Sequence, residues 1–452
     1  MIKIHPVLKE IAAIFNGNGK QVYLVGGAVR DMLRGKKVND WDIATDAVPE
    51  EVTAIIKNAN GKVFPTGIKH GTVTVIYKKT SMEVTTFRTE SGYSDGRRPD
   101  KIEYASTIEE DLSRRDFTMN AIALRLPKGE IVDPFAGAKD IELKIIRCVG
   151  NAAERFNEDG LRPLRAVRFA AQLGFEIEEN TLAAIPGALS VSAKVSHERV
   201  RDELDKILAS PLPSRAFRLM EKTGLLELFL KELAACRGIE QKGFHQFDVL
   251  DHSLLACDYA AGRGYSQILR LAALLHDIGK PDVRKLDESG VWTFYRHEET
   301  SSVKAREILN RLRYSNAVID GVCHLIKEHM FHYTDEWSDA AVRRFIARIG
   351  EPNLEDIYRL RRADAYAFSG KEADPMLTAA LADRVEKVLA NGRAFTLKDL
   401  AVTGNDLISI GIPGGKKMGI ILKELLETVL DDPAQNTREK LLEIAGKVNE
   451  GR

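Results

Sequence analysis

The period of the hydrophobic pattern changes near residue 145, and that change limits the architectures open to the chain. Before it, short runs mark strands: Val22–Val25, Trp41–Ala44, Gly71–Tyr77 and, after a turn at Lys78–Ser81, Met82–Phe87. After it, strand signals nearly vanish. Apolar residues then recur every three to four positions, as in Leu161–Leu173, His197–Leu208, Pro213–Leu230 and Gln267–Leu275. The pattern predicts an α+β protein, a mixed head followed by an all-α body. At 452 residues one core is too few, and roughly three domains are expected. Punctuation near Lys242-Gly243, Pro281–Gly290, Lys371–Pro375 and Pro413–Lys417 marks further subdivision. The segments expected are 1–145, 146–235, 240–370 and 375–452. Within the head, Ser91–Pro99 is polar and glycine-containing and reads as a mobile loop.

Charge and cysteine usage exclude some classes. With 66 basic and 66 acidic residues the net charge is zero, which argues against loose polyanion binding but leaves room for a local basic groove. No apolar run approaches the ~20 residues of a membrane span. Lys3, Lys9 and Glu10 interrupt any signal-peptide core. Cys148, Cys236, Cys257 and Cys323 are scattered, which fits reduced thiols rather than a disulfide frame or zinc site. A soluble cytoplasmic protein with no membrane partner is expected.

The chemistry begins at Asp40-Trp41-Asp42. On a strand, residues two apart share a face, so the two carboxylates project together while Trp41 and Ile43 turn toward a core. Adjacent carboxylates repel, and Mg²⁺ held by one or two carboxylates plus substrate phosphates is the usual remedy. Asp-x-Asp alone would suit a solvated strand end. Just upstream, however, Leu-Val-Gly-Gly-Ala-Val-Arg-Asp (24–31) lets backbone N–H groups approach phosphate oxygens, with Arg30 as a charged clamp. Together they predict a phosphoryl- or nucleotidyl-transfer site. Glu83 shares a strand face with Thr85 and Phe87 and would complete an acidic cluster. Farther on, Arg114 and Arg115 offer guanidinium forks that match phosphate oxygens.

The run Glu158-Asp159-Gly160-Leu161-Arg162-Pro163-Leu164-Arg165-Ala166-Val167-Arg168 is more informative. Read as helix, Arg162, Arg165 and Arg168 spread over an arc of about 120°, apart from the stripe of Leu161, Leu164, Val167 and Ala171. A solvated basic face is one reading. The other starts from Asp159, three residues before Arg162. A carboxylate accepts from an exocyclic amino group, while a guanidinium donates to a ring nitrogen or carbonyl. Cytosine and adenine both show an amino group beside a ring nitrogen; uracil and guanine show a carbonyl there. One Asp/Arg pair would therefore accept C and A and reject U and G. Pro163 lacks an N–H and is costly inside a helix, so the helix is expected to begin near Gly160.

In this order, Gly-Gly-Ala-Val-Arg-Asp, Asp-Trp-Asp, Arg-Arg-Asp-Phe-Thr-Met-Asn-Ala, Asp-Pro-Phe-x-Gly and Glu-Asp-x-x-Arg-x-x-Arg resemble the motifs of class II tRNA nucleotidyltransferases, the CCA-adding enzymes, and of the related poly(A) polymerases. The resemblance spans residues 20–230. It implies a DNA polymerase β-like head, a helical neck that templates the incoming nucleotide, and body and tail domains that hold the tRNA acceptor arm. By position, Asp40 and Asp42 would bind Mg²⁺, with Glu83 as a third carboxylate. Gly27, Arg30, Arg115, Asp159, Arg162, Arg165 and Arg168 would contact CTP or ATP. Full CCA addition is the activity implied; an A-adding enzyme or poly(A) polymerase is the nearest alternative. In this family the 91–99 loop argues against a CC-only enzyme.

A second resemblance lies downstream. His252, His276-Asp277 and Asp364 occur in the order of the HD metal-dependent phosphohydrolases. Imidazole with carboxylate suits Mn²⁺, Fe²⁺, Co²⁺ or Ni²⁺ and phosphoester hydrolysis, here of 2′,3′-cyclic or 3′-phosphate RNA ends. It also raises the rival of an HD hydrolase whose head only binds RNA. His297, His324 and His329 read as surface histidines. His324 and His329, five apart, would point about 140° from one another on a helix.

Overall fold

The computed structural model describes residues 4–38, 40–91, 101–241, 247–372, 376–392 and 395–450. It divides into two compact units, Met1–Ala234 and Ala235–Arg452.

In the first unit a seven-stranded sheet runs in the order Lys62–Gly67, Thr72–Tyr77, Thr80–Thr86, Asp42–Thr45, Val22–Val25, Ala123–Arg125, Glu130–Val132. Asp42–Thr45 lies near its middle, antiparallel to Val22–Val25 and parallel to Thr80–Thr86. Its side chains from Ile43 to Thr45 are all buried, as expected for a strand covered on both faces. Tyr23, Val25, Ala44, Phe87, Leu112 and Ala123 form the core on one face. Asp42, two residues before Ala44, is on that face where the core gives way to the strand's exposed end.

The strand begins at Asp42, not Trp41, so Asp40 sits on the incoming loop rather than on the strand. Trp41 is half-buried against the His5 ring, 5.7 Å away, and not in the core. Arg88–Ser91 and Lys101–Tyr104 form an antiparallel pair that the sequence reading did not predict. The rest of the anticipated loop, 92–99, lies outside the described residues, as does Lys242-Gly243.

The helices after residue 145 begin and end where local chemistry dictates. Ala152–Glu158 is capped by Asn151, whose side chain accepts from Ala153 N and Glu154 N. The chain turns at Gly160-Leu161 and restarts as Arg162–Leu173, with Pro163 in the first turn. The expected helix Pro213–Leu230 is two helices, Pro213–Thr223 and Leu225–Phe229, because Gly224 takes a left-handed φ of 84°. Strands do not vanish completely: Ile145–Ile146 pairs with Glu176–Ile177, and Lys285–Leu286 with Trp292–Thr293.

The second unit is helical. Val249–Gly262, Gln267–Leu275, His297–Arg311, Asn316–Glu328 and Leu354–Ser369 supply the residues discussed below. Toward its end a separate apolar cluster of Val402, Leu407, Ile421, Leu425, Val429 and Leu441 joins Gly404–Ser409, Lys416–Asp431 and Arg438–Glu450. No helix among the described residues is long and apolar enough to cross a membrane. All four cysteines are buried and unbridged.

Candidate active site

A cleft of about 850 Å³ in the first unit is lined by Asp40, Asp42, Gly27, Arg30, Arg115, Asp159, Arg162, Arg165 and Arg168, together with Gly26, Asp116, Asn120, Phe169 and Arg199. Every sequence-selected residue of the head and neck except Glu83 therefore meets in one place. Glu83 is exposed and does not line the cleft, but it is the register partner of Asp42 in the parallel pair. The two side chains thus leave the sheet on the same side.

The glycine pair has a geometric reason. Val22–Val25 hands over to helix Gly27–Leu33 at Gly26, which adopts φ 68°. A Cβ there would lie 2.9 Å from Arg115 Nη1 and 3.6 Å from Asp42 Oδ2. Only a residue without a side chain lets the Arg115 guanidinium rest over this backbone, beside the aspartate. Burial raises Asp42 above the usual carboxylate range; the Asp40 charge adds to this, and Arg115 opposes it. A partly buried carboxylate under strain from a second one fits a divalent cation, so the residues present suit Mg²⁺.

Asp116 is the hub of the wall opposite. Arg165 donates to its Oδ2 from Nε and Nη2 at 2.8 and 2.7 Å. Its Oδ1 accepts from Phe117 N at 2.8 Å and Asn120 Nδ2 at 3.0 Å. Asn120 Oδ1 in turn accepts from Arg30 Nη1 at 2.8 Å. Burial alone would raise Asp116, but the Arg165 charge and these hydrogen bonds outweigh it and hold the carboxyl at about 2. Phe169 packs under three guanidinium groups, with Arg168 3.7 Å, Arg30 5.2 Å and Arg165 5.4 Å from the ring centre. Arg168 is paired with Glu203 at 2.5 Å, yet burial brings it down to about 10.

Asp159 and Arg162 stand on either side of one tight turn, closed by Arg162 N donating to Asp159 O at 2.9 Å. Asp159 Oδ2 accepts from Arg199 Nη2 at 2.8 Å, and its Oδ1 from Leu161 N at 3.0 Å. Arg162 pairs with Glu158 and donates to the carbonyls of Arg155 (2.9 Å) and Arg114 (3.0 Å). A Cβ on Gly160 would meet Val191 O at 2.5 Å, so the turn is pressed against the short helix Leu189–Ser192. Asp159 and Arg162 are thus held by the protein in fixed orientations. Asp-Pro-Phe-x-Gly proves to be a turn, with Asp133 accepting from Gly137 N and Ala138 N at 2.7 and 2.8 Å.

The second unit gathers His252, His276, Asp277 and Asp364 in a buried cluster. His252 Nε2 lies 3.1 Å from both His276 Nε2 and Asp364 Oδ1, and 3.4 Å from Asp277 Oδ2. His276 Nε2 is 3.4 Å from Asp277 Oδ2. The reading of His297 and His329 as surface residues is corrected: both are buried beside these groups, because the start of His297–Arg311 and the end of Asn316–Glu328 converge there. His324 lies elsewhere, its Nε2 2.7 Å from Ile349 O. Burial, and then the positive His276, bring His329 down to about 3. Burial opposes ionisation of Asp277, but His276 and Lys280 hold it well below the usual range. Several nitrogen and oxygen donors facing one another in a dry site are a donor set that fits a transition metal.

Comparison with known proteins follows the same division. The Poly A polymerase head domain model matches residues 22–147, the polymerase A RNA and SrmB-binding model 174–237, and the tRNA nucleotidyltransferase domain 2 model 286–445. A CCA-adding enzyme of Lactobacillus johnsonii is 35% identical over 97% of this chain and 95% of its own length. The chain belongs to the CCA-adding enzyme family. The relative from Enterococcus faecalis is 33% identical over 98% of this chain and 95% of its own length. The crystal structure of the Bacillus stearothermophilus CCA-adding enzyme in complex with CTP superposes with a TM-score of 0.72 at 31% identity, covering 99% of each chain. The architecture is accordingly the α+β one of this family, with a polymerase β-like head.

Sequence reasoning passed over Asp116, Asn120, Phe169 and Arg199. Asp116 and Asn120 stood inside a quoted motif, and their four-residue spacing was the available signal. Phe169 lies one residue beyond the arginine run, and nothing around Arg199 in Ser-His-Glu-Arg sets it apart from a surface charge.

Proposed function

We propose that this member of the CCA-adding family extends the 3′ end of tRNA by CMP, CMP and AMP, using CTP and ATP without a nucleic-acid template, in the cytoplasm. The observation that carries the reading is one cleft that holds the acid pair, the phosphate-matching arginines and the Asp159–Arg162 turn together. Asp40 and Asp42 would hold Mg²⁺, with Glu83 the register partner of Asp42 in the sheet. When bound, such an ion would supply positive charge beside the tRNA hydroxyl and the departing pyrophosphate. In the transfer, the hydroxyl oxygen bonds to the α-phosphorus and the α–β phosphoanhydride bond breaks. Arg115, over the Gly26 backbone, and Arg30, fixed by Asn120, orient the triphosphate. Asp159 and Arg162 choose the base. Their held orientation lets one pair serve C and A, while Arg165 and Arg168 bound the pocket on Phe169.

The test offers tRNAs ending before the first C, after one C and after CC, with labelled CTP or ATP. Sequential addition on all three is expected. Incorporation of A alone, and only on the CC-ended tRNA, refutes CCA addition in favour of the A-adding alternative. Nucleotide addition surviving Asp40→Ala with Asp42→Ala would sink the transfer mechanism and return the head to an RNA-binding role. The second unit supports an additional reading: His252, His276, Asp277 and Asp364 would hold a transition metal such as Mn²⁺, Fe²⁺, Co²⁺ or Ni²⁺ for phosphoester hydrolysis at RNA ends. Loss of bound metal and of phosphatase activity in His276→Ala is its expected signature.

A further inference from the structure

Asp111 is fully buried and does not line the cleft, yet it holds two of the arginines that do, Arg114 and Arg115. It lies in the helix Ile108–Ser113, and the arginines follow at the three- and four-residue spacings that bring side chains together. The helix itself is fixed from two sides. Thr107 and Glu110 form a capping box, with Glu110 N donating to Thr107 Oγ1 at 3.4 Å and Thr107 N to Glu110 Oε2 at 3.1 Å. Ile108 and Leu112 enter the core shared with Tyr23, Phe87 and Ala123.

The two carboxylate oxygens of Asp111 have different tasks. Oδ1 accepts from Arg114 Nε and Nη2 at 3.0 and 2.8 Å, and from Arg88 N at 3.4 Å, where the strand Arg88–Ser91 begins. Donors from two separate segments therefore anchor it. Oδ2 accepts from Arg115 Nη2 at 3.1 Å. Burial opposes ionisation of Asp111, but the charges of Arg115 and then Arg114 outweigh it and keep the carboxyl below its usual range.

Among the described residues Asp111 is the one carboxylate paired with Arg115. With Nη2 held there, Nη1 lies 2.9 Å from where a Cβ on Gly26 would stand, beside Asp42, and Nε is buried with no hydrogen-bond partner. Buried donors are normally satisfied. The guanidinium is planar and rigid, so a carboxylate that grips one of its nitrogens from a fixed helix also sets where the other N–H groups point. A phosphate oxygen brought in by a nucleotide is the acceptor this group lacks.

We propose that Asp111 is a positioning residue for nucleotide transfer: through Oδ2 it sets the Arg115 guanidinium over Gly26, with its unpartnered N–H groups turned to the triphosphate of CTP or ATP. The proposal rests on the reading of Arg115 as a triphosphate clamp given above and adds the residue that aims it. Because the triphosphate is common to all nucleotides, Asp111 acts on the affinity for each of them alike. It has no part in the choice among bases, which belongs to Asp159 and Arg162.

The test is a double-mutant cycle of Asp111→Asn and Arg115→Ala in the full chain. The readouts are steady-state addition of CTP and ATP to tRNAs ending after one C and after CC, and calorimetric CTP binding. Asp111→Asn is expected to raise KM for CTP and ATP, and the dissociation constant for CTP, by about 10–100-fold, the worth of a charge-assisted hydrogen bond. The ratio of kcat/KM for CTP to that for UTP is expected to stay as in wild type. In the Arg115→Ala background the same substitution is expected to cause no further loss. Additive losses overturn the proposal, because Asp111 then acts on something other than Arg115. A fall in the CTP-to-UTP ratio also overturns it, since that is the mark of a general loosening of the cleft. Wild-type constants in Asp111→Asn beside an impaired Arg115→Ala overturn the proposal and leave the clamp reading standing. Wild-type constants in Arg115→Ala overturn both. Circular dichroism establishes that each variant is folded. Where Asp111→Asn does not fold, Asp111→Glu carries the cycle: it keeps the charge and moves the carboxylate by one methylene, and its loss of affinity must likewise vanish in Arg115→Ala.

Discussion

Asp116→Asn is the perturbation that separates electrostatic organisation of the cleft from simple packing, because the side chain keeps its shape and loses its charge. The drop in the Asp116 carboxyl from 3.8 to about 2 corresponds to about 2 kcal/mol at 1.36 kcal/mol per pH unit. Asp116 is buried, so solvent screening removes little of this. A second estimate comes from the pair itself: removing one member of a buried ion pair costs about 3–5 kcal/mol. Arg165 keeps a distant partner in Glu203 at 3.9 Å, which favours the lower end. A loss of about 2–3 kcal/mol is expected, or roughly 4–12 °C in the melting of a unit of this size. The pH dependence has a definite sign. Because the folded value is depressed, the stabilisation is fully present well above 3.8 and is lost as pH falls toward about 2. At pH 3 the linkage contribution should be about half its neutral value. Calorimetric melts of wild type and Asp116→Asn at pH 7 and pH 3 check this, with CTP titrations at pH 7. A gap in melting temperature that is the same at both pH values, or no gap at all, refutes the electrostatic account. Unchanged CTP affinity refutes the claim that Asp116 positions Arg165 and, through Asn120, Arg30.

Three further outcomes are expected. Asp42→Asn should lower nucleotide addition by more than about 1000-fold while CTP still binds in the absence of metal; loss of binding instead would mean that Asp42 organises the pocket rather than the transfer. Gly26→Ala places a Cβ 2.9 Å from Arg115 Nη1 at a φ of 68°. It should cost about 1–3 kcal/mol of stability and raise KM for both nucleotides, so thermal melts and kinetics matching wild type would show that the close approach is unimportant. Arg162→Ala should erode discrimination against UTP and GTP by about 1–3 kcal/mol, or roughly 5–150-fold, measured as ratios of kcat/KM. A uniform loss across all four nucleotides would remove Arg162 from base selection.

How much of this was legible in the sequence depended on how local the physics is. Val22–Val25, His197–Leu208 and Gln267–Leu275 are set by near-neighbour periodicity and appear where the pattern predicts them. Trp41 failed because alternation says which residues share a face, not which end of a strand still has a neighbour to bury against. Gly224 splits a continuous apolar stripe because a left-handed cap costs a glycine nothing, and hydrophobic period does not register it. In the second unit the spacing of His324 and His329 does not reveal that His329 is buried while His324 meets the carbonyl of Ile349. Only the convergence of two helix ends shows that His329 turns inward with His297. A lone histidine in a helix carries no mark of what another helix will bring to it.

Long-range pairing also ties the helix after residue 160 to the segment around Arg115. Arg162 donates to the carbonyl of Arg114, and Arg165 holds the carboxylate of Asp116. These two anchors come from one helix and grip the residues immediately before and after Arg115. Arg115 is the guanidinium that lies over Gly26 beside Asp42. The helix that follows the Asp159–Arg162 turn is therefore bonded on both sides of the arginine that lies over Gly26. A substitution that frees Arg162 therefore also loosens the segment that carries Arg115. The order of motifs along the chain lists the parts of this connection; the hydrogen bonds from Arg162 and Arg165 are what couple them.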